Sequence, residues 1–160
     1  MVESTQPAAP SGYVPSEAER ALITIHLGDA AMLDKGYNAN ITLKKEEAEK
    51  RTELISEIEY DFQLALNKGD YYIGKAVVNF YLTKRPEAGE LFLNFQSVAI
   101  ADLLINDKLL SGDNIFVDQK IKLEVPNVAI GWNTVQLRYF NLYNKNRVGL
   151  HSYIDESDKE

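Results

Sequence analysis

Between Ile58 and Leu82 the apolar residues fall on alternate positions, and no other feature of this sequence limits the fold so tightly. Ile58, Tyr60, Phe62, Leu64 and Leu66 alternate with Glu57, Glu59, Asp61 and Gln63. An extended chain puts one set on each side, which predicts a strand with an apolar face and a wet face. Asn67, Lys68, Gly69 and Asp70 supply a turn, after which Tyr72, Gly74, Ala76, Val78, Phe80 and Leu82 share one face of a second strand. The two strands form an antiparallel hairpin. Gly74, inside the second strand, predicts a bulge or the close approach of another backbone.

Turn residues at 84–90, 106–107 and 111–114 then separate further apolar stretches. These are Leu91, Leu93 and Phe95; Val98, Ile100 and 103–105; Ile121, Leu123 and Val125; and the alternating stretch 134–143. Short strands at this spacing predict an all-β fold, an antiparallel β-sandwich or saddle-like sheet. Ahead of them, Thr42 predicts the N-cap of a short helix over 43–54, with Glu46 and Glu47 at its positive end and a Glu46–Lys50 pair on its surface. Residues 1–40 read as an extended or disordered leader containing Pro7, Pro10 and Pro15, since such a composition buries too little apolar surface to offset its ordering entropy. Within it, 21–27 is apolar and fits a strand or one helical turn equally. The β domain is assigned to 41–160.

Composition removes several kinds of function. A formal net charge of -7 disfavours nucleic acid and anionic membranes, which are bound through Lys and Arg. Without a cysteine there is no disulfide, thiolate nucleophile or thiolate metal site. No apolar window approaches membrane-spanning length and no export signal precedes the domain, so the expectation is a cytoplasmic protein. No Gly-x-Ser-x-Gly elbow, phosphate-binding Gly loop, dinucleotide fingerprint or EF-hand loop is present. Carboxylates crowd 155–160, which reads as a solvated acidic tail. His26 and His151 are read as structural residues, because a single His supplies no metal shell. Tyr60, Tyr72 and Tyr139 fall on apolar faces and are assigned to packing. No catalytic, cofactor-binding or metal-binding residue is assigned.

The segment Gly149-Leu150-His151-Ser152-Tyr153-Ile154-Asp155 resembles the Gly-Leu-His-Arg-Phe-x-Asp segment of the N-terminal domain in the aminopeptidase N family of zinc metallopeptidases. The resemblance runs from about residue 41 to 160. It takes in an Ala-x-x-Arg helix (Ala48, Arg51), a Tyr-Asp strand start (Tyr60, Asp61), and an aromatic-x-Gly segment (Tyr72, Gly74, with Val78). It continues through Leu91-Phe92-Leu93-Asn94 to a Gly-x-Asn-x-Val strand entry (Gly131, Asn133, Val135). Two positions depart from the pattern: Ser152 stands where the family has Arg, and Asp107 where it has a turn Gly. Tyr60, Gly74, Asn133, Gly149, Leu150, His151 and Asp155 are taken as the structural signature.

What the resemblance implies is a covering role. In that family zinc is held by H-E-x-x-H in a separate catalytic domain, and this chain has only two histidines, 125 positions apart by number (151 less 26). It therefore implies a non-catalytic domain that packs against a catalytic domain, either truncated from it or separately encoded. An alternative is a stand-alone interaction or structural subunit of a larger assembly that kept the fold and lost the enzyme, its leader docking along a partner. A further expectation places an exposed sheet edge after Tyr143, inviting self-association or a strand from a partner.

Overall fold

The structure is a computed structural model and describes residues 17, 44–66, 68, 70–110, 115–117, 119–143 and 150–157. The order of elements is α1 (Lys45–Leu54), β1 (Ile55–Leu66), β2 (Tyr71–Leu82), β3 (Phe92–Asn94), β4 (Ala99–Ile105), β5 (Lys108–Leu109), β6 (Phe116–Val117), β7 (Lys120–Lys122) and β8 (Gly131–Leu142). They build an all-β domain of two antiparallel sheets with one short helix leading into the first strand. The larger sheet has the order β1-β2-β8-β4-β5 and the smaller β3-β7-β6.

The helix starts at Lys45, with Lys44 as its N-cap, whose N–H donates to Glu47 Oε2 at 3.3 Å. The expected N-cap, Thr42, lies outside the described residues. On the helix surface it is Lys45 and Glu49 that pair, at 3.6 Å, rather than Glu46 and Lys50. Leu54 alone on this helix is buried, and its carbonyl accepts the Thr83 N–H at 2.8 Å, which ties the helix end to the end of β2.

The predicted antiparallel hairpin forms, and the two predicted apolar faces fall on the same side of it. Ile58, Tyr60, Phe62, Leu64 and Leu66 stand opposite Phe80, Val78, Ala76, Gly74 and Tyr72. On its other side β2 pairs with β8 through all twelve residues, Tyr71↔Leu142 to Leu82↔Gly131. The turn from β4 to β5 is two residues long, with Asn106 at φ 50 and Asp107 at φ 62. Both are left-handed, as the twist of a two-residue hairpin demands, and Asn and Asp tolerate that conformation better than other non-glycine residues. Asp107 therefore serves the turn where the related pattern has Gly.

The core lies between the sheets. Val78, Phe80, Leu82, Leu103, Ile105, Val135, Leu137 and Tyr139 on the inner face of the large sheet meet Leu54, Leu91, Ile121, Leu123 and Val128 from the covering side. Ser97 is also buried, its hydroxyl within hydrogen-bond distance of the Ala99 and Phe140 carbonyls, at 2.9 and 3.0 Å. Tyr72 and Tyr139 are buried as expected. Burial pushes the Tyr139 phenol up to about 12, with Tyr72 adding to it. An unfolded tyrosine titrates near 10, so the stability gained by keeping this phenol neutral, about 2–3 kcal/mol, is complete below pH 10 and is lost as pH rises through 12. Tyr139→Phe should flatten that alkaline loss, a difference read from melting temperatures of both forms between pH 9 and 12.

Three expectations need correction. Gly74 carries no bulge, because pairing runs unbroken on both sides of β2, and what approaches it is the ring of Tyr139 rather than a backbone. Tyr60 is not in the core: it is 54% exposed. The free edge does not follow Tyr143 either, since β8 sits in the middle of the sheet between β2 and β4 and the outer strands are β1 and the two-residue β5. An apolar set at alternate positions dictates a strand with one apolar face. It does not dictate what covers that face or which strand stands outermost.

Candidate functional site

The feature that sets this molecule apart is β1. Its inner face carries Ile58, Tyr60, Phe62, Leu64 and Leu66, and these side chains are 44, 54, 54, 43 and 60% exposed. Their neighbours in register on β2, Phe80, Val78, Ala76 and Tyr72, are 1, 3, 1 and 8% exposed. The covering layer thus shields β2, β8 and β4 and stops short of β1. Tyr60 and Phe62 stack within the open stretch, with ring centres 5.9 Å apart and planes 7° from parallel. A contiguous exposed apolar surface of this kind marks an interaction site.

Where β1 meets the covering layer the surface deepens into a groove of about 270 Å³. It is lined by Ile58 and Tyr60 of β1, Val78 and Phe80 of β2, Phe92 and Leu93 of β3, and Arg51 and Thr52 of α1. The Arg51 guanidinium lies 4.2 Å from the centre of the Phe92 ring, and Lys120 Nζ is also 4.2 Å from it. Such stacking on an aromatic face is favourable for both cations. Two Arg51 nitrogens, Nε and Nη2, are nonetheless buried without a hydrogen-bond partner. Burial draws the Arg51 pKa below its ordinary value, with Glu47 and then Tyr60 acting in the other direction. Leaving a buried donor unpaired costs about 1–3 kcal/mol, so the groove at Arg51 favours an acceptor.

The outer face of β1 is different in kind. Glu57, Glu59 and Asp61 are all exposed and stand opposite Tyr81, Asn79 and Val77, none of which carries a charge. The first cation in register on β2 is Lys75, opposite Gln63. Further across the same face Arg138 of β8 pairs with Asp102 of β4, Nε donating to Oδ2 at 2.6 Å and Nη2 to the same oxygen.

The sequence signature does not converge on one pocket. Only Tyr60 lines the groove. Gly74 lies beneath Tyr139, and Asn133 is buried near the start of β8, where it ties together the turns at 106 and 129. Leu150, His151 and Asp155 are on an exposed segment, and Gly149 lies outside the described residues. Asp155 Oδ1 accepts from the Ser157 N–H at 2.9 Å and from its hydroxyl at 2.7 Å, which holds the carboxyl below its ordinary range. His26, like the leader as a whole, is outside the described residues. Among the described residues no three His, Cys, Asp or Glu side chains gather as a cation site. Among them, too, no helix is long and apolar enough to cross a membrane.

Sequence reasoning placed Arg51 in a family pattern but gave it no task, and it assigned the β1 face to the core. No local signal separates a covered from an open apolar face, since the acidic residues at 57, 59 and 61 report only the other side of the strand. Set beside known proteins, the chain matches no family model and no curated protein.

Proposed function

We propose that this chain is a non-catalytic β domain, the N-terminal β domain of an aminopeptidase-N-like zinc metallopeptidase, and that it packs through β1 against the catalytic domain. The observation that carries this reading is the open face of Ile58, Tyr60, Phe62, Leu64 and Leu66 beside a covered β2. Completing the burial of five half-exposed apolar side chains is worth about 1 kcal/mol for each, a contribution that favours docking. The ordered resemblance from Ala48 to Asp155 supplies the kind of partner. The zinc and the peptide chemistry belong to that partner, and this chain contributes a wall.

The test is a calorimetric titration of the full chain with a separately produced catalytic fragment containing H-E-x-x-H. Phe62→Lys places a charge in the middle of the contact and should weaken binding about a hundredfold, as a central anchor does. Its effect on the free chain should be within about 0.5 kcal/mol, because Phe62 is already half in water. No binding by the unaltered chain, or equal binding by Phe62→Lys, contradicts the reading.

A further inference from the structure

We infer that the free edge of β1 accepts an added strand from the partner, one that carries apolar and basic side chains at alternate positions. The inference rests on the packing role proposed above and specifies the segment that does the packing. β1 is twelve residues long and pairs, among the described residues, only with β2, so among them no strand takes up the N–H and C=O groups of its other edge. An added strand would satisfy them, and its alternate side chains would fall beside the two faces of β1.

The chemistry of the two faces fixes the occupant. Side chains of the added strand on the inner side would lie against Ile58, Tyr60, Phe62 and Leu64, which favours apolar residues. Those on the outer side would lie against Glu57, Glu59 and Asp61, three exposed carboxylates with no ion pair among the described residues, which favours Lys or Arg. Arg51 lines the groove with Ile58 and Tyr60, and its buried Nε and Nη2 have no hydrogen-bond acceptor. A second copy of this chain is a poorer occupant: β1 contains no Lys or Arg, so two β1 strands paired edge to edge leave Glu57, Glu59 and Asp61 facing no cation from the other β1, and pairing about Glu59 sets like charges directly opposite.

The probe is a short acetylated and amidated peptide of alternating Lys and Val, titrated into the isotopically labelled full chain. Amide shifts are expected along 57–66, with affinity at least about tenfold above that of a Lys-block, Val-block peptide of the same composition, because only alternation serves both faces. A peptide of alternating Glu and Val should not bind. The triple substitution Glu57→Lys, Glu59→Lys, Asp61→Lys changes only exposed side chains and should reverse the preference between the two alternating peptides. Equal binding of the alternating and block peptides, or shifts away from β1, overturns the inference in favour of general charge attraction. A marked gain in affinity on Ile23→Asp with Ile25→Asp overturns it in favour of the chain's own leader as occupant, and a dimer in sedimentation that dissociates on adding peptide overturns it in favour of a second copy. If the catalytic fragment binds through Phe62 while the alternating peptide does not bind, the added strand fails and the packing role stands. If the peptide binds as described and the fragment does not, the edge stands and the partner's identity fails.

Discussion

Asn133→Leu is expected to lower the unfolding free energy of the chain by about 3 kcal/mol or more, although leucine is nearly the same size. Asn133 is 1% exposed and every polar atom of its amide is used. Its Oδ1 accepts from the Ala129 N–H and from Asn106 Nδ2, both at 2.9 Å, and its Nδ2 donates to the carbonyls of Ala129 at 2.7 Å and Gly131 at 2.9 Å. Asn106 in turn donates to the Asn127 carbonyl and accepts the Thr134 N–H, so one side chain on β8 holds the 127–131 loop and the β4–β5 turn in place. Removing the amide leaves three main-chain groups without partners, and each such group costs about 1–3 kcal/mol. In urea denaturation the midpoint should fall with little change of slope. Asn133→Asp keeps the shape and should be worse at neutral pH, because a carboxylate would face two carbonyls; its deficit should shrink as pH falls and the new carboxyl takes up a proton. A Leu variant as stable as the parent would mean that the amide network contributes nothing.

Gly74→Ala should be nearly as damaging, for a steric reason. A Cβ on Gly74 would stand 2.6 Å from Tyr139 Cε1 and still closer to its Cζ and hydroxyl. The ring cannot swing aside cheaply, since Phe95 packs edge-on at 4.8 Å and Tyr72 edge-on at 6.4 Å. Overpacking at such a site costs about 1–3 kcal/mol, and the higher end is expected here, reduced slightly by the better strand propensity of Ala. The cause is checked by a double-variant cycle. Tyr139→Leu frees the space, so Gly74→Ala should cost at least about 1 kcal/mol less in that background. Additive losses would place the strain elsewhere.

These two positions show what the sequence made legible. The alternation at 58–66 and 72–82 sufficed for two antiparallel strands and for which residues share a face, because the period of an extended chain puts alternate side chains on one side. The role of Asn133 was visible only as a pattern match, since its partners at 106, 127 and 129 are gathered by a loop whose path no local rule gives. Gly74 was recognised as a position needing close approach, but the approaching group, a ring from β8, depends on which strand becomes its neighbour. The β1 face was misassigned for the same reason. Periodicity reports that a side of a strand is apolar, while coverage is decided by how far the three-stranded layer extends, and that layer is built from strands of two and three residues with little periodic signal.

The central claim is that β1 is a surface waiting for a partner domain. Amide hydrogen exchange of the full chain, alone and with the H-E-x-x-H catalytic fragment, tests it most directly because it reports where protection is gained. The account predicts that amides of 57–66 exchange faster than those of β2 and β8 in the free chain and slow markedly on addition of the fragment, while the middle of β8 is unchanged. Protection already complete in β1 of the free chain, or gained elsewhere when the fragment binds, would contradict it.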